Sequence, residues 1–225
     1  MIRIESKVNI EKYIIPYLSI PKRGGTKLKL WEIVNAILYK LKTGVHWYLL
    51  PIKSLIYRQS IKWGAIYHYY RKWMKDGSFL RVFNNIVLNY KHLLDMSICN
   101  LDGTHTPCKK GGDKVAYQGR KKTKTTNNLF LVDSTGLLIA FSEPISGNHH
   151  DTFQLDKHFQ NIEHQMHQRG LKLEGLFINA DAGFDNSSFI EDCFKKGIIL
   201  NNPPNRRNKK GLDDNNKVFD DNTLW

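Results

Sequence analysis

The sequence predicts a mixed α/β (α+β) protein: a helical, basic N-terminal domain over residues 1–95, then a domain built on a mixed sheet flanked by helices over residues 96–225. Three observations predict it. Apolar residues recur at spacings of three and four as far as Tyr90, then give way to short strand-like runs after Ser97. Charge divides at the same place, with 17 Lys and Arg against 5 Asp and Glu in residues 1–95 and 17 against 16 in residues 96–225, so almost all of the net +13 lies in the first part. Finally, 225 residues at 41% hydrophobic content supply one or two cores and exclude disordered, collagenous and coiled-coil chains.

In the first domain, Thr26 is placed to cap a helix whose Leu28, Trp31, Val34, Ile37, Leu38 and Leu41 share one face, with Gly44 as its stop. Pro51 and Ser54 restart the chain, and Ile61, Ala65, Tyr69 and Trp73 recur every four residues. That register leaves Arg58, Lys62, Arg71 and Lys72 for other faces, and Gly77 ends the helix. A third run starts at Ser78 and buries Phe79, Val82, Phe83, Ile86, Val87 and Tyr90. Short helices with a basic outer face suit a helix-turn-helix style DNA reader, although a solvated Lys-rich surface is the commoner source of such a pattern.

The second domain reads as strands at Ser97–Leu101, Asn128–Val132 and Leu137–Phe141, the last two joined by the turn at 133–136. Asp151 is placed to cap a helix from about Phe153 to Gln168, Leu176–Asn179 makes a fourth strand, Asp185 caps a helix through Lys196, and Ile198–Leu200 makes a fifth. The order β-β-β-α-β-α-β predicts a ribonuclease-H-like layout.

Two acids stand where apolar strands run out. Asp102 follows Ile98, Cys99 and Leu101, and Asp181 follows Leu176 to Ala180. On neighbouring strands, two such carboxylates can share hard cations, Mg²⁺ or Mn²⁺, that clamp the attacking and leaving oxygens of a phosphodiester displacement. Each singly would more often cap a turn; their matched context argues for function. Between them, Lys109, Lys110, Lys114, Arg120, Lys121, Lys122 and Lys124 form a candidate phosphate cradle, with a solvated loop as an equal rival, and His105 is a candidate phosphate contact. His149, His150 and Asp151 are expected beside the site, with helix capping preferred for Asp151. His164 and His167 are read as a polar helix face, and Asn201 to Lys210 as a basic loop. The cysteines, Cys99, Cys108 and Cys193, form no CxxC pair; Cys99 and Cys193 read as small buried hydrophobes.

Four ordered motifs carry a resemblance. They are Leu101-Asp102-Gly103-Thr104-His105, the run Gly119-Arg120-Lys121-Lys122-Thr123-Lys124, Ser146-Gly147-Asn148-His149-His150-Asp151, and Asn179-Ala180-Asp181-Ala182-Gly183-Phe184-Asp185. Together they resemble the catalytic domain of bacterial insertion-sequence transposases of the DDE type. Trp31 to Tyr39, Thr43-Gly44-Val45-His46-Trp47 and Tyr70-Arg71-Lys72-Trp73 are similar to the helical DNA-binding region of that group. The resemblance implies that Asp102 and Asp181 are the first two members of an acidic triad. It implies cleavage at element ends and strand transfer with Mg²⁺ or Mn²⁺, DNA ends and target DNA as partners, and a homodimer in the active complex. The third member, a Glu on a later helix, has no match before Trp225, and Glu191 is expected to face solvent, so the chain reads as truncated or as the upstream product of a split frame. Two alternatives stand beside transposition: a metal-dependent nuclease of similar fold, and a non-catalytic DNA-binding fragment that represses transposition. No apolar run approaches the roughly 18 residues of a membrane helix, and Met1 to Asn9 lacks a signal core, which predicts a cytoplasmic, nucleoid-associated protein.

Overall fold

The computed structural model describes residues 2–20, 29–57, 61–109 and 111–205, and the chain divides into two compact units, Met1–Asn89 and Tyr90–Trp225. The division falls six residues before the expected boundary. Asp95 explains it: its amide donates to Asp133 Oδ2 (3.1 Å) and its carbonyl accepts from Ser134 N (3.2 Å), which ties the segment ahead of the first strand to the sheet.

The first unit is helical. It contains the single turn α1 (Lys7–Asn9), α2 (Leu30–Thr43), the short α3 (Ile52–Leu55), α4 (Trp63–Lys75) and α5 (Ser78–Tyr90). Trp31, Ile33, Val34, Ala36 and Ile37 of α2 pack with Ile10, Leu55, Ile56, Ile66, Trp73 and Val82 in one core. Trp73 is fully buried and its Nε1 donates to Ser19 O at 3.0 Å, so the ring has both an apolar pocket and a partner for its one polar atom. Gly44 ends α2 in the left-handed conformation (φ 69°), where its amide reaches Lys40 O.

Several expected details shift. Helix α2 begins at Leu30 beside Lys29, with no side-chain cap; Thr26 and Leu28 lie outside the described residues. Leu41 is exposed, because the buried face is used up by the first two turns of α2. The restart at Pro51 yields only α3, and the long helix starts at Trp63. Its buried stripe runs through Ile66 and Trp73 while Ala65 is exposed, one residue off the four-residue spacing, since 3.6 residues per turn drifts away from an exact repeat of four. In α5, Val82 and Val87 are buried, while Ile86 and Tyr90 reach the exposed edge of the stripe.

The second unit is a sheet with two helices. Its strands are β1 (Cys99–Pro107), β2 (Ala116–Gln118), β3 (Thr123–Val132), β4 (Leu138–Phe141), β5 (Ile145–Ser146), β6 (Phe177–Ala180) and β7 (Ile199–Asn201); its helices are α6 (Leu155–Gln168) and α7 (Ser187–Lys195). The order is β2-β3-β1-β6-β7, with β4 and β5 also paired to β3. β1 runs antiparallel to β3 and parallel to β6, which runs parallel to β7. Alternation places Cys99, Leu101, Leu129, Leu131, Ile178 and Ala180 in one buried row, and these make the core with Leu155, Phe159, Ile162 and Met166 of α6 and Phe189 and Cys193 of α7. The rings of Phe159 and Phe189 meet edge to face at 5.0 Å.

Two caps are not where the sequence placed them. Gln154, in the left-handed conformation at φ 49°, precedes α6 and makes no side-chain cap. Asp151 is engaged instead with Asn127. Asn186 caps α7, accepting from Ser188 N (3.0 Å) and Phe189 N (3.3 Å), because Asp185 accepts from Asn205 N at 2.8 Å.

Candidate active site

The parallel register between β1 and β6 pairs Cys99 with Ile178, Asn100 with Asn179 and Leu101 with Ala180. The next position on each strand is Asp102 and Asp181. Adjacent strands lie about 4.8 Å apart, so the register alone makes the two acids neighbours. Asp181 keeps an extended backbone (φ −75°, ψ 172°), which carries the alternation one residue past β6. The two acids therefore fall opposite the buried Leu101 and Ala180. The expected strand end is corrected for Asp102, since β1 continues to Pro107 on its antiparallel pairing with β3 and only the parallel pairing stops at Leu101.

Under the acids lies a feature the sequence reading missed. Asn179 Nδ2 donates to Asn100 Oδ1 (3.2 Å), and Asn201 Nδ2 donates to Asn179 Oδ1 (2.8 Å), linking β1, β6 and β7 in one row of amides. Asn179 and Asn201 are each 1% exposed. The signal was present: an Asn stands two residues before each Asp, a spacing that puts Asn and Asp on one face of a strand.

Each carboxylate is held by one oxygen. Asp102 Oδ1 accepts from Gly103 N at 2.8 Å, and Asp181 Oδ1 accepts from Gly183 N at 2.8 Å; among the described residues neither second oxygen has a hydrogen bond. Partial burial pushes the Asp102 carboxyl above the usual carboxylate range; the Gly103 amide opposes that, the charges of Asp151 and Asp181 add to it, and Lys121 opposes it weakly. A crowded, partly desolvated carboxylate with a free oxygen suits a hard divalent cation. No group of three or more His, Cys, Asp or Glu able to hold an ion occurs among the described residues. Two carboxylates still fit Mg²⁺ or Mn²⁺, because Mg²⁺ is commonly bound through one or two carboxylates, with water and substrate phosphate completing its shell.

The candidate phosphate cradle includes a hairpin. β2 pairs with β3 from Ala116↔Thr125 to Gln118↔Thr123, and Lys122 takes a positive φ of 49° in the turn. Lys109, Lys114, Arg120, Lys121, Lys122 and Lys124 are exposed, and Lys121 is close enough to Asp102 to act on its charge. On the helical unit, Lys62 and Arg71 are exposed, with the Arg71 guanidinium over the Tyr67 ring at 5.9 Å. Lys72 is half-buried and donates to Ser19 O at 3.1 Å, so its ammonium serves the fold. Arg58, Lys110 and residues 206–210 of the basic loop lie outside the described residues.

His105 sits in the row opposite Asp102, its Nδ1 3.1 Å from Thr125 Oγ1 and its Nε2 3.4 Å from Gln118 Nε2. His149 stacks on Phe153 at 3.6 Å, and His150 is exposed. Asp151 belongs to the His105 side of the sheet. Glu191 is exposed and pairs with Lys195 at 2.7 Å, as expected of a solvent-facing residue. His164 is likewise exposed, with Gln168 as its partner. Cys99 and Cys193 are buried, which pushes both thiols up to about 12.

Residues 101–223 match the family described as DDE superfamily endonuclease, and residues 10–83 match a family of domains ascribed to IS4/5 transposases. Nothing among curated proteins matches the chain. Among solved structures it is similar to piggyBac transposase in a synaptic complex with hairpin DNA, at 12% identity and TM-score 0.51, over 92% of this chain and 48% of that one. It spans about half the length of that relative. Mos1 transposase in a paired-end complex with the left transposon end gives 11% identity and TM-score 0.34 over 80% of this chain and 61% of that one. A Mos1 mariner paired-end complex with Mn gives 9% and 0.34 over the same shares. Similarity at the level of the two Mos1 complexes does not bear on the fold.

Proposed function

The chain belongs to the DDE superfamily endonucleases, and on that premise we propose that it is the DNA transposase of an insertion sequence, binding element ends and joining them to target DNA. The observation that carries this reading is that Asp102 and Asp181 each stand one residue past Leu101↔Ala180, the last parallel register pair of β1 and β6. Among the described residues each presents one oxygen without a hydrogen bond, and these oxygens would hold Mg²⁺ or Mn²⁺. When bound, such ions supply the positive charge that makes a water or a DNA 3′-hydroxyl an effective nucleophile and stabilises charge on the reacting phosphate. The protein's own part is positioning. The amides of Gly103 and Gly183 fix one oxygen of each carboxylate, and the Asn100, Asn179 and Asn201 row keeps the strands level, so the pair meets its cation without rearranging.

DNA would be gripped on exposed cations: Lys109, Lys114, Arg120, Lys121, Lys122 and Lys124 beside the acids, and Lys62 and Arg71 on the helical unit. The active complex joins two element ends and is read as a homodimer acting in the cytoplasm at the nucleoid. Among the described residues no helix is long and apolar enough to cross a membrane.

A second reading, occupation of element ends without cleavage, is favoured by one observation: the exposed Lys62 and Arg71 on the helical unit offer a phosphate grip that needs neither Asp102 nor Asp181. Both readings meet one test. DNA ending in the inverted repeats that flank the coding sequence is end-labelled and incubated with the protein and Mg²⁺ or Mn²⁺. Transposition predicts metal-dependent cleavage and strand transfer, each reduced at least a hundredfold by Asp102→Asn or Asp181→Asn with DNA binding retained. Binding without cleavage by the native chain would support the second reading, and cleavage without strand transfer would make it a nuclease.

A further inference from the structure

Gly103 follows Asp102 directly on β1, and alternation turns its missing side chain toward the Leu129 and Leu101 row, away from the Asp102 carboxylate. The carboxylate of Asp151 fills that place. A methyl group on Gly103 would coincide with Asp151 Oδ1 and Cγ and would lie 2.9 Å from Oδ2. Asn127 holds Asp151 there, its Nδ2 donating to Asp151 Oδ1 at 2.5 Å. Asn127 is itself fully buried on β3, opposite His105 and two residues along the sheet from Gly103. Among the described residues Asp151 makes no ion pair, and it caps no helix. Its close approach to a glycine in mid-strand, where any other residue would clash with it, calls for a physical reason.

The reason lies one peptide away. The Gly103 N–H is the donor that fixes Asp102 Oδ1 at 2.8 Å, so whatever sets the Gly103 backbone aims Asp102. We propose that Asp151 is a positioning residue for Asp102: anchored to β3 through Asn127 and wedged against the Cα of Gly103, it holds the peptide whose amide orients the cation-holding carboxylate. Asp151 acts from the opposite face of the sheet and does not touch the cation. The inference rests on reading Asp102 and Asp181 as a cation-holding pair, but its mechanical part can be measured without metal.

The test uses the 225-residue chain and two measurements: amide hydrogen exchange at Gly103 and Thr104 in metal-free protein, and Mn²⁺ affinity from the paramagnetic resonance signal of free Mn²⁺. Asp151→Ala removes the wedge and is expected to speed exchange at both amides and weaken Mn²⁺ binding, each by roughly tenfold or more, as for other outer-shell contacts. Asp151→Asn keeps the volume and an oxygen for Asn127, and is expected to restore both to within about twofold of the native protein. Should Asp151→Ala fail to fold, Asp151→Ser, which withdraws from Gly103, replaces it with the same expectations. Unchanged exchange in the truncated variant overturns the proposal. So does an Asp151→Asn variant as impaired as the truncation, because charge rather than shape would then be at work. Native Mn²⁺ binding that ignores Asp102→Asn would instead overturn the cation-pair reading, while the exchange data decide the wedge independently.

Discussion

Asp102 is held in a form it does not prefer. Partial burial, with the charges of Asp151 and Asp181 adding to it, raises its pKa despite the Gly103 amide and Lys121, so the folded protein takes up a proton there more readily than the unfolded chain. The sign follows: stability falls as pH rises through the window between the unfolded and the raised folded pKa, and the cost is fully present at neutral pH. Asp102→Asn is therefore expected to raise the melting temperature slightly at pH 7 while abolishing cleavage, a modest effect because the side chain remains partly solvated. The gain should vanish as pH drops below that window, and added Mn²⁺ should stabilise the native protein but not the variant; calorimetry across pH, with and without the ion, measures all three. The acids could be found in the sequence because a carboxylate after an apolar run is conspicuous. Asn100 and Asn179 carried a signal in their spacing to the two acids, but Asn201 did not, since an isolated Asn usually signals a turn, and only strand register shows that the three share hydrogen bonds. Asp151 was visible as an acid near the site, but its partner Asn127 is 24 residues away, and its helix-capping role was refuted by a contact no local rule encodes.

Among the elements, those with strong periodicity were legible and their ends were not. α5 and β4 stand close to where their patterns place them, because each buries a stripe that solvent would otherwise cover, while β3 starts at Thr123, five residues before the expected Asn128. β1 was underestimated. Its second half, Gly103 to Pro107, is too polar to read as a strand, yet its backbone is fully paired with β3, which supplies the hydrogen bonds that burial does not demand. α4 illustrates the opposite case, where a register error of one residue moved the stripe from Ala65 to Ile66 while Trp73 stayed at its centre. That centre is testable. Trp73→Ala empties a fully buried site and leaves Ser19 O without the indole donor, and is expected to cost about 3–5 kcal/mol, read from chemical denaturation followed by circular dichroism.

At the scale of the whole molecule, the uneven division of charge was visible in the sequence from the first count. The helical part carries most of the excess, and on a proposed DNA-binding surface each exposed cation that meets a phosphate releases a counterion. Replacing Lys62 and Arg71 together by Ala is expected to flatten the dependence of log affinity on log salt by about 1.8, two contacts at about 0.9 each, while leaving cation binding by the sheet unit untouched; fluorescence anisotropy over a salt series reads the slope. Lys72→Ala should leave the slope nearly unchanged, since its ammonium is occupied at Ser19. The long antiparallel pairing of β1 with β3 has one more consequence. From Asp102 it runs unbroken to Pro107, and β3 returns directly from the basic turn. On the proposed reading grip and blade are forged on a single ribbon, so the torque of a duplex seated on the cationic tip would reach Asp102 through paired strands.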